Sequence, residues 1–558
     1  MVRKRDWRSA QTSLGYRQLT ALGALLLAAS GCAAALQANR RSPGVVSGDS
    51  FTVTLPPAAS YGPGTLACPA GGLYQQVADS LADLAKRGNK PEIKGDGRLC
   101  AVAETLSGWS ASSPPPESVT RQVAWHFGLP SAAPRVTTAT FDTDDAGQMA
   151  GPLLETLAIF AKTAVAPRFG LQAELLPKSA RVVQNRTRVV LVTLDDALDL
   201  DPVPRTLPVN GQTKVSGRLL GSAANATVLF SDPAGRLETV AQQGDAFSAD
   251  LRCGERPGIM RVEIRAQKAE ATTIMARFPI ACGASLPPAA KIPPSRSAGP
   301  LDAAVQERKL FQLLNAERAT GGAAPVAWDD AAGRVARGAS ENLRAQAAAP
   351  APQFDLVGQL RKEDTSSPLV LQNPVVAPSA EEAHTLLLTS PVNRSNLLHS
   401  QATHGAVGVA LGADPNGGSR LYVTELLIRL QSTVDTEALR SELRTAVAQK
   451  RVAAGVGALA SDGILEEIAQ KYANELVGTS GAIAKERESE IIAPLYKGYR
   501  SVNLISGAKP EPLDFADESG VLGAASLAGV GVAQGSSPVL GKNTIYVVII
   551  VATKAARK

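Results

Sequence analysis

Histidine is scarce in this chain. There are four in 558 residues, His126, His384, His399 and His404, and none from 431 to 558. Imidazole is the usual base and a common zinc ligand, so a histidine-based site is excluded from that last stretch. No HExxH helix, no GxSxG elbow and no P-loop occurs. The five cysteines lack any CxxC spacing, which argues against a four-cysteine metal centre. The apolar run from Leu19 to Ala29 is too short to span a bilayer as a helix, for which about 20 residues are needed. Excess charge is missing as well. Lys and Arg number 57 and Asp and Glu 51, a net charge of +6, and residues 1–31 hold five basic residues against Asp6, so the remainder carries only +2. With no basic stripe, neither nucleic acid nor an anionic lipid surface is an expected partner.

What is present begins with Cys32. A basic segment (Arg3, Lys4, Arg5, Arg8, Arg17), an apolar run and small residues follow one another, the order of a secretory signal. Its end, Ala29-Ser30-Gly31-Cys32, resembles a bacterial lipobox, with Ala29 where leucine is usual. The resemblance implies cleavage after residue 31, lipidation of Cys32 and a mature chain held on a membrane outside the cytoplasm. Several acyl chains anchor stably where one is marginal. Ala33 stands where aspartate would signal retention in the inner membrane, which points to the outer membrane of a Gram-negative bacterium. Four cysteines then remain, in two local pairs. Disulfides Cys68–Cys100 and Cys253–Cys282 are expected, each closing a loop worth ~3 kcal/mol in the chain-entropy model.

The length calls for several domains. Residues 32–60 read as a tether and the proline-rich stretch 284–300 as a semi-rigid linker. Beyond that linker an internal repeat runs at an offset of 133 residues: Arg318 matches Arg451, Gly322 matches Gly455 and Asp329 matches Asp462. Ala332, Val335, Ala336, Ala339 and Leu343 share their spacing with Leu465, Ile468, Ala469, Tyr472 and Leu476, one face of a helix. Asp329 or Asp330, and Asp462, sit where an N-cap would. Both copies end in a hairpin with a buried second strand, Leu421 to Ile428 and Thr544 to Val551. The first hairpin turns at Asp414-Pro415-Asn416-Gly417-Gly418. A more distant copy is expected at 61–203, where Asp96 precedes Leu99, Val102, Ala103 and Leu106. Residues 204–283 alternate in short runs between turn signals such as Asp232-Pro233-Ala234-Gly235, the pattern of an immunoglobulin-like β-sandwich.

Residues 301–430 resemble the CAP superfamily, also called SCP or PR-1-like, in its bacterial secreted form. Leu313-Leu314-Asn315-Ala316-Glu317-Arg318, Pro325-Val326-Ala327-Trp328-Asp329, Ser390-Pro391-Val392-Asn393-Arg394-Ser395-Asn396-Leu397-Leu398 and Thr403-His404-Gly405-Ala406-Val407-Gly408 carry the resemblance. Residues 435–556 match in outline and 61–203 faintly. The resemblance implies a multidomain α+β chain of CAP-like αβα sandwich repeats with one β-sandwich inserted. Many members of the family bind a divalent metal between two histidines and two acids. Here Asn393 takes the place of one histidine, and Ser340, Glu341 and Asn342 stand where the other belongs. The expectation is therefore a binding or scaffolding module without metal, cofactor or catalysis. An envelope protein, glycan or lipid would be its ligand, at a cleft including Glu341, Asn393, Arg394, Asn396 and His404. Two alternatives stay open: a metal-assisted hydrolase using His384, His399, His404 and Glu382, and a lipid or sterol carrier with an apolar groove. Ser379 and Glu382 also read as a capping box, and Trp125-His126-Phe127 as a core edge or a ligand groove.

Overall fold

The computed structural model describes residues 44–87, 92–109, 114–131, 134–177, 185–268, 271–292, 301–349, 351–413 and 419–555. The expected signal segment, Cys32, residues 33–43 of the tether, residues 293–300 of the linker and the turn at 414–418 lie outside the described residues.

Three segments each build a four-stranded sheet with one strand order. In the first, Lys94–Gly95 runs parallel to Pro167–Leu176, which forms a hairpin with Arg186–Asp195, and Arg135–Phe141 adds to the hairpin's far side. The second uses Ala327–Trp328, His404–Ala413, Ser419–Ile428 and Val370–Ala377 in the same roles. The third uses Ala460–Ser461, Leu527–Ser537, Gly541–Lys554 and Tyr499–Ala508. After each short first strand an aspartate caps a helix that lies on the sheet. Asp96 accepts from the Arg98 amide, Asp329 from Ala332, and Asp462 from Ile464 and Leu465. The amides of these aspartates donate to the third strand, at Phe169, Gly405 and Ala528.

Contact between helix and strand is close enough to require glycine. A Cβ added at Gly170, Gly408 or Gly529 would stand 2.1, 2.1 or 2.2 Å from a helix carbonyl carbon, that of Leu99, Ala336 or Leu465. Gly322 and Gly455, matched in sequence, both adopt the left-handed conformation (φ 75° and 68°) past the end of a helix. There the next amide returns to the carbonyl of Arg318 or Arg451.

Between the first and second of these units stands a two-sheet β-sandwich. Five strands in one sheet and three in the other close over Val215, Val228, Phe230, Phe247, Val262 and Phe278, all buried. Cys253 and Cys282 are joined (Cα–Cα 5.4 to 5.6 Å in the two disulfides), linking the two sheets, and Cys68 is joined to Cys100.

Two expectations need correction. The tether does not extend to 60: Gly44–Ser47 and Ser50–Val53 form a hairpin, and Phe51 and Val53 enter the core of the first α/β unit. Nor is the linker free throughout, because Ala289–Lys291 returns to pair with Ser50–Val53. Of these short strands Ser50–Val53 buries alternate residues, Phe51 and Val53, too brief a run for its period to be read among the surrounding prolines and glycines.

Candidate functional site

The helix Pro391–Leu398 carries most of the expected cleft. Ser390 caps it, and its inner side meets the sheet at Val370–Ala377. Asn373, fully buried, donates from Nδ2 to the Asn393 carbonyl (3.0 Å) and to Glu425 Oε2 (3.2 Å). Asn396 Nδ2 donates to Asn373 Oδ1 (3.0 Å) and to the Gln372 carbonyl (3.3 Å). Glu425 lies opposite Asn373 and Val407 on the sheet. Burial pushes its carboxyl up to about 7, the Asn373 amide opposing, and Oε1 has no hydrogen-bond partner among the described residues. Asn393, through its carbonyl, and Asn396 thus meet on Asn373, which also holds the Glu425 carboxyl, a group the sequence does not single out. The available signal was one acid inside the apolar run Leu421 to Ile428.

The other cleft residues go elsewhere. Glu341 is exposed and pairs with Arg344 one turn on (2.6 Å). Its neighbour Ser340 is not on the helix surface but fully buried, donating to the Gly408 carbonyl (2.9 Å). His404 opens its strand with Nδ1 3.0 Å from Thr403 Oγ1. Arg394 turns out of the unit altogether. Its guanidinium donates to the carbonyls of Asp232 (2.9 Å) and Pro233 (2.7 Å) in a sandwich turn. Desolvation lowers the pKa of Arg394, with Glu317 and Asp232 opposing. Arg261 of the sandwich is pushed down to about 10 by burial and then by Arg394, with Glu317 opposing. Burial raises Glu317 against both arginines.

Glu382, an acid of the hydrolase alternative, is also engaged. Ser379 caps its amide (3.2 Å), so half of the capping box forms. The carboxylate does not turn back. It accepts from the Ser118 amide (2.8 Å) and hydroxyl, at the start of the helix Glu117–His126 in the first α/β unit. It thereby satisfies a helix-end donor from 264 residues away. Burial raises its pKa, the Ser118 bonds opposing. Beside it Arg277 Nη1 donates to Thr389 Oγ1 (3.3 Å), and Trp125 Nε1 donates to the Arg277 carbonyl (2.7 Å). Trp125 and Phe127 are buried, and His126 Nε2 is 2.8 Å from the Leu55 carbonyl, so this tripeptide is a packed edge.

The remaining histidines serve separate places. Burial pushes His384 down to about 4, and its Nδ1 has no hydrogen-bond partner among the described residues. His399 ends the helix Pro391–Leu398, and Nδ1 accepts from the Gln401 amide (3.3 Å). Burial and then Arg318 lower its pKa. Arg318, wholly buried, donates to the carbonyls of Ala324, Leu397, His399 and Ala402. Arg451, matched to it in sequence, does the same for Gly457, Val521, Gly523 and Ala525. Among the described residues no group of three or more His, Cys, Asp or Glu is placed to hold a metal ion.

No protein-family profile matches the chain, and no curated protein sequence matches it. Three solved structures show partial similarity. An extracellular protein of Bacillus anthracis that contains an SCP domain is 16% identical, with a TM-score of 0.20, over 31% of this chain and 65% of its own. An outer surface protein of Borrelia burgdorferi is 16% identical, with a TM-score of 0.19, over 23% of this chain and 100% of its own. A cysteine-rich secretory protein of Staphylococcus aureus is 14% identical, with a TM-score of 0.20, over 40% of this chain and 66% of its own. This chain thus spans about two thirds of the first and third of them.

Proposed function

We propose that this protein is a cell-envelope lipoprotein in which CAP-like units and an immunoglobulin-like sandwich form a non-catalytic scaffold for binding an envelope partner. One observation carries the reading: the motif residue Arg394 and the acid Glu382 face the rest of the chain. Arg394 holds the sandwich by two carbonyls, and Glu382 caps a helix of the first α/β unit. Residues that would border an open catalytic cleft are thus engaged in joining units. A charged group buried against such partners supports position better than turnover. No helix among the described residues is long and apolar enough to cross a membrane, and attachment is assigned to lipid on Cys32.

The reading is tested on the purified full chain by metal analysis and zinc titration. It predicts no stoichiometric zinc and no thermal shift on adding zinc. Stoichiometric zinc that disappears in a His399→Ala, His404→Ala variant would replace it with the metal-assisted alternative. For the anchor, Cys32→Ser should move the protein from the membrane to the soluble fraction on cell fractionation; unchanged membrane association would refute lipidation.

A further inference from the structure

A cleft of about 380 Å³ opens where the first α/β unit meets the edge of the sandwich. One wall is the end of the helix Ala146–Ala161 and the turn after it, with Phe160 and Val165. The facing wall is the strand Ala271–Cys282, with Ile274 and Met275. That strand's register shifts between its pairings at Ile274 and Ala276, leaving Met275 as a bulge beside the cleft. The volume lies within the range of small-molecule sites.

Three polar groups of the lining have no assigned role. Ser131 is 8% exposed, and its hydroxyl has no hydrogen-bond partner among the described residues. A buried hydroxyl without a partner is costly unless something completes it. Arg135 and Lys268 border the same cleft, and among the described residues neither pairs with a carboxylate. The acid present, Asp195, is already held: its Oδ1 accepts from the amides of Val165 and Ala166, both at 2.9 Å. Two cations and a buried hydroxyl without a partner among the described residues line a cleft whose walls are largely apolar.

We infer that this cleft binds a small amphipathic anion, with its carboxylate or phosphate head at Ser131, Arg135 and Lys268 and its apolar body between Phe160, Val165 and Met275. The inference goes beyond the scaffold reading and stands or falls separately, because an empty cleft would leave the joined units as they are.

Calorimetric titration of the full chain with decanoate and decyl phosphate tests it, against decanol and inorganic phosphate. Both amphiphilic anions should bind at a single site, and decanol and inorganic phosphate should each bind more weakly by about tenfold or more. Arg135→Glu combined with Lys268→Glu should weaken the anions by a similar factor while leaving decanol unchanged. Met275→Trp should abolish binding by filling the cleft, with circular dichroism checking the fold of each variant. Equal binding of decanol would overturn the role of the head group. Equal binding of inorganic phosphate would reduce the site to a plain anion site and overturn the apolar half. Absence of binding by both anions, or binding indifferent to the charge reversal, would overturn the proposal outright.

Discussion

Burying a carboxyl on the inner side of a sheet penalises its ionised form, and Glu425 has one amide, Asn373 Nδ2, to offset that. Its carboxyl titrates near 7 in the folded chain against an ordinary 4.5. Between those values the native state holds the proton more tightly than the unfolded state, so stability falls as pH rises through the window. His384 acts in the opposite sense. Its imidazole is pushed to about 4 from an ordinary 6.5, the unfolded chain binds the proton first, and stability falls as pH drops from 6.5 towards 4. Where the windows overlap the two slopes oppose. Glu425→Gln should therefore stabilise the protein by up to about 3 kcal/mol above neutrality and by almost nothing near pH 4. His384→Leu should flatten the acid side. Urea unfolding at several pH values measures both, and parallel pH profiles for variants and parent would contradict the assignment. Neither group stands out in the sequence as sensitive to pH: His384 enters there only through the hydrolase alternative, and Glu425 is hidden in a run that otherwise reads as core, because burial is a property of both faces of a strand at once.

The element that most constrains each α/β unit is the contact of the capped helix with the third strand. Gly408 touches the backbone of Ala336 there, so Gly408→Ala must push the helix off the sheet. A cost of about 2–3 kcal/mol or more is expected. Gly457, with nothing within 4 Å of an added Cβ, serves as the control, and Gly457→Ala should be neutral or slightly stabilising. A difference in denaturation midpoint of less than the measurement error between the two variants would show that the helix has room. Much of this element was legible. Asp329 and Asp462 as caps, the buried stripe through Ala332, Ala336 and Ala339, and the matched Gly322 and Gly455 all follow from local rules. Arg318 and Arg451 match in sequence. Their task, satisfying four carbonyls each, was not legible there, because those carbonyls come from segments distant along the chain.

At the scale of the whole molecule, the sandwich and the first two α/β units are held by a polar seam: Ser118 with Glu382, Arg277 with Thr389, and Arg394 with Asp232 and Pro233. Glu382→Ala orphans a helix-end amide, a loss of about 1–2 kcal/mol, and Arg394→Met removes two further bonds. Together they should uncouple the units, splitting the calorimetric unfolding of the full chain into separate transitions and speeding proteolysis near 284–300. A single unsplit transition with unchanged proteolysis would argue that apolar contact alone holds the units. The sequence by itself determined what depends on neighbours along the chain: helical stripes, caps, hairpins, cysteine pairs close in number, and the missing histidines. Tertiary structure decided what depends on which surfaces meet. The expected cleft dispersed because Arg394 found carbonyls in the sandwich while Glu341 paired with Arg344 on its own helix, and parts of the expected tether and linker became paired strands. Hydrogen bonds across 162 and 264 residues leave no local period to read. Desolvation chooses those partners, and it acts only once the units are in contact.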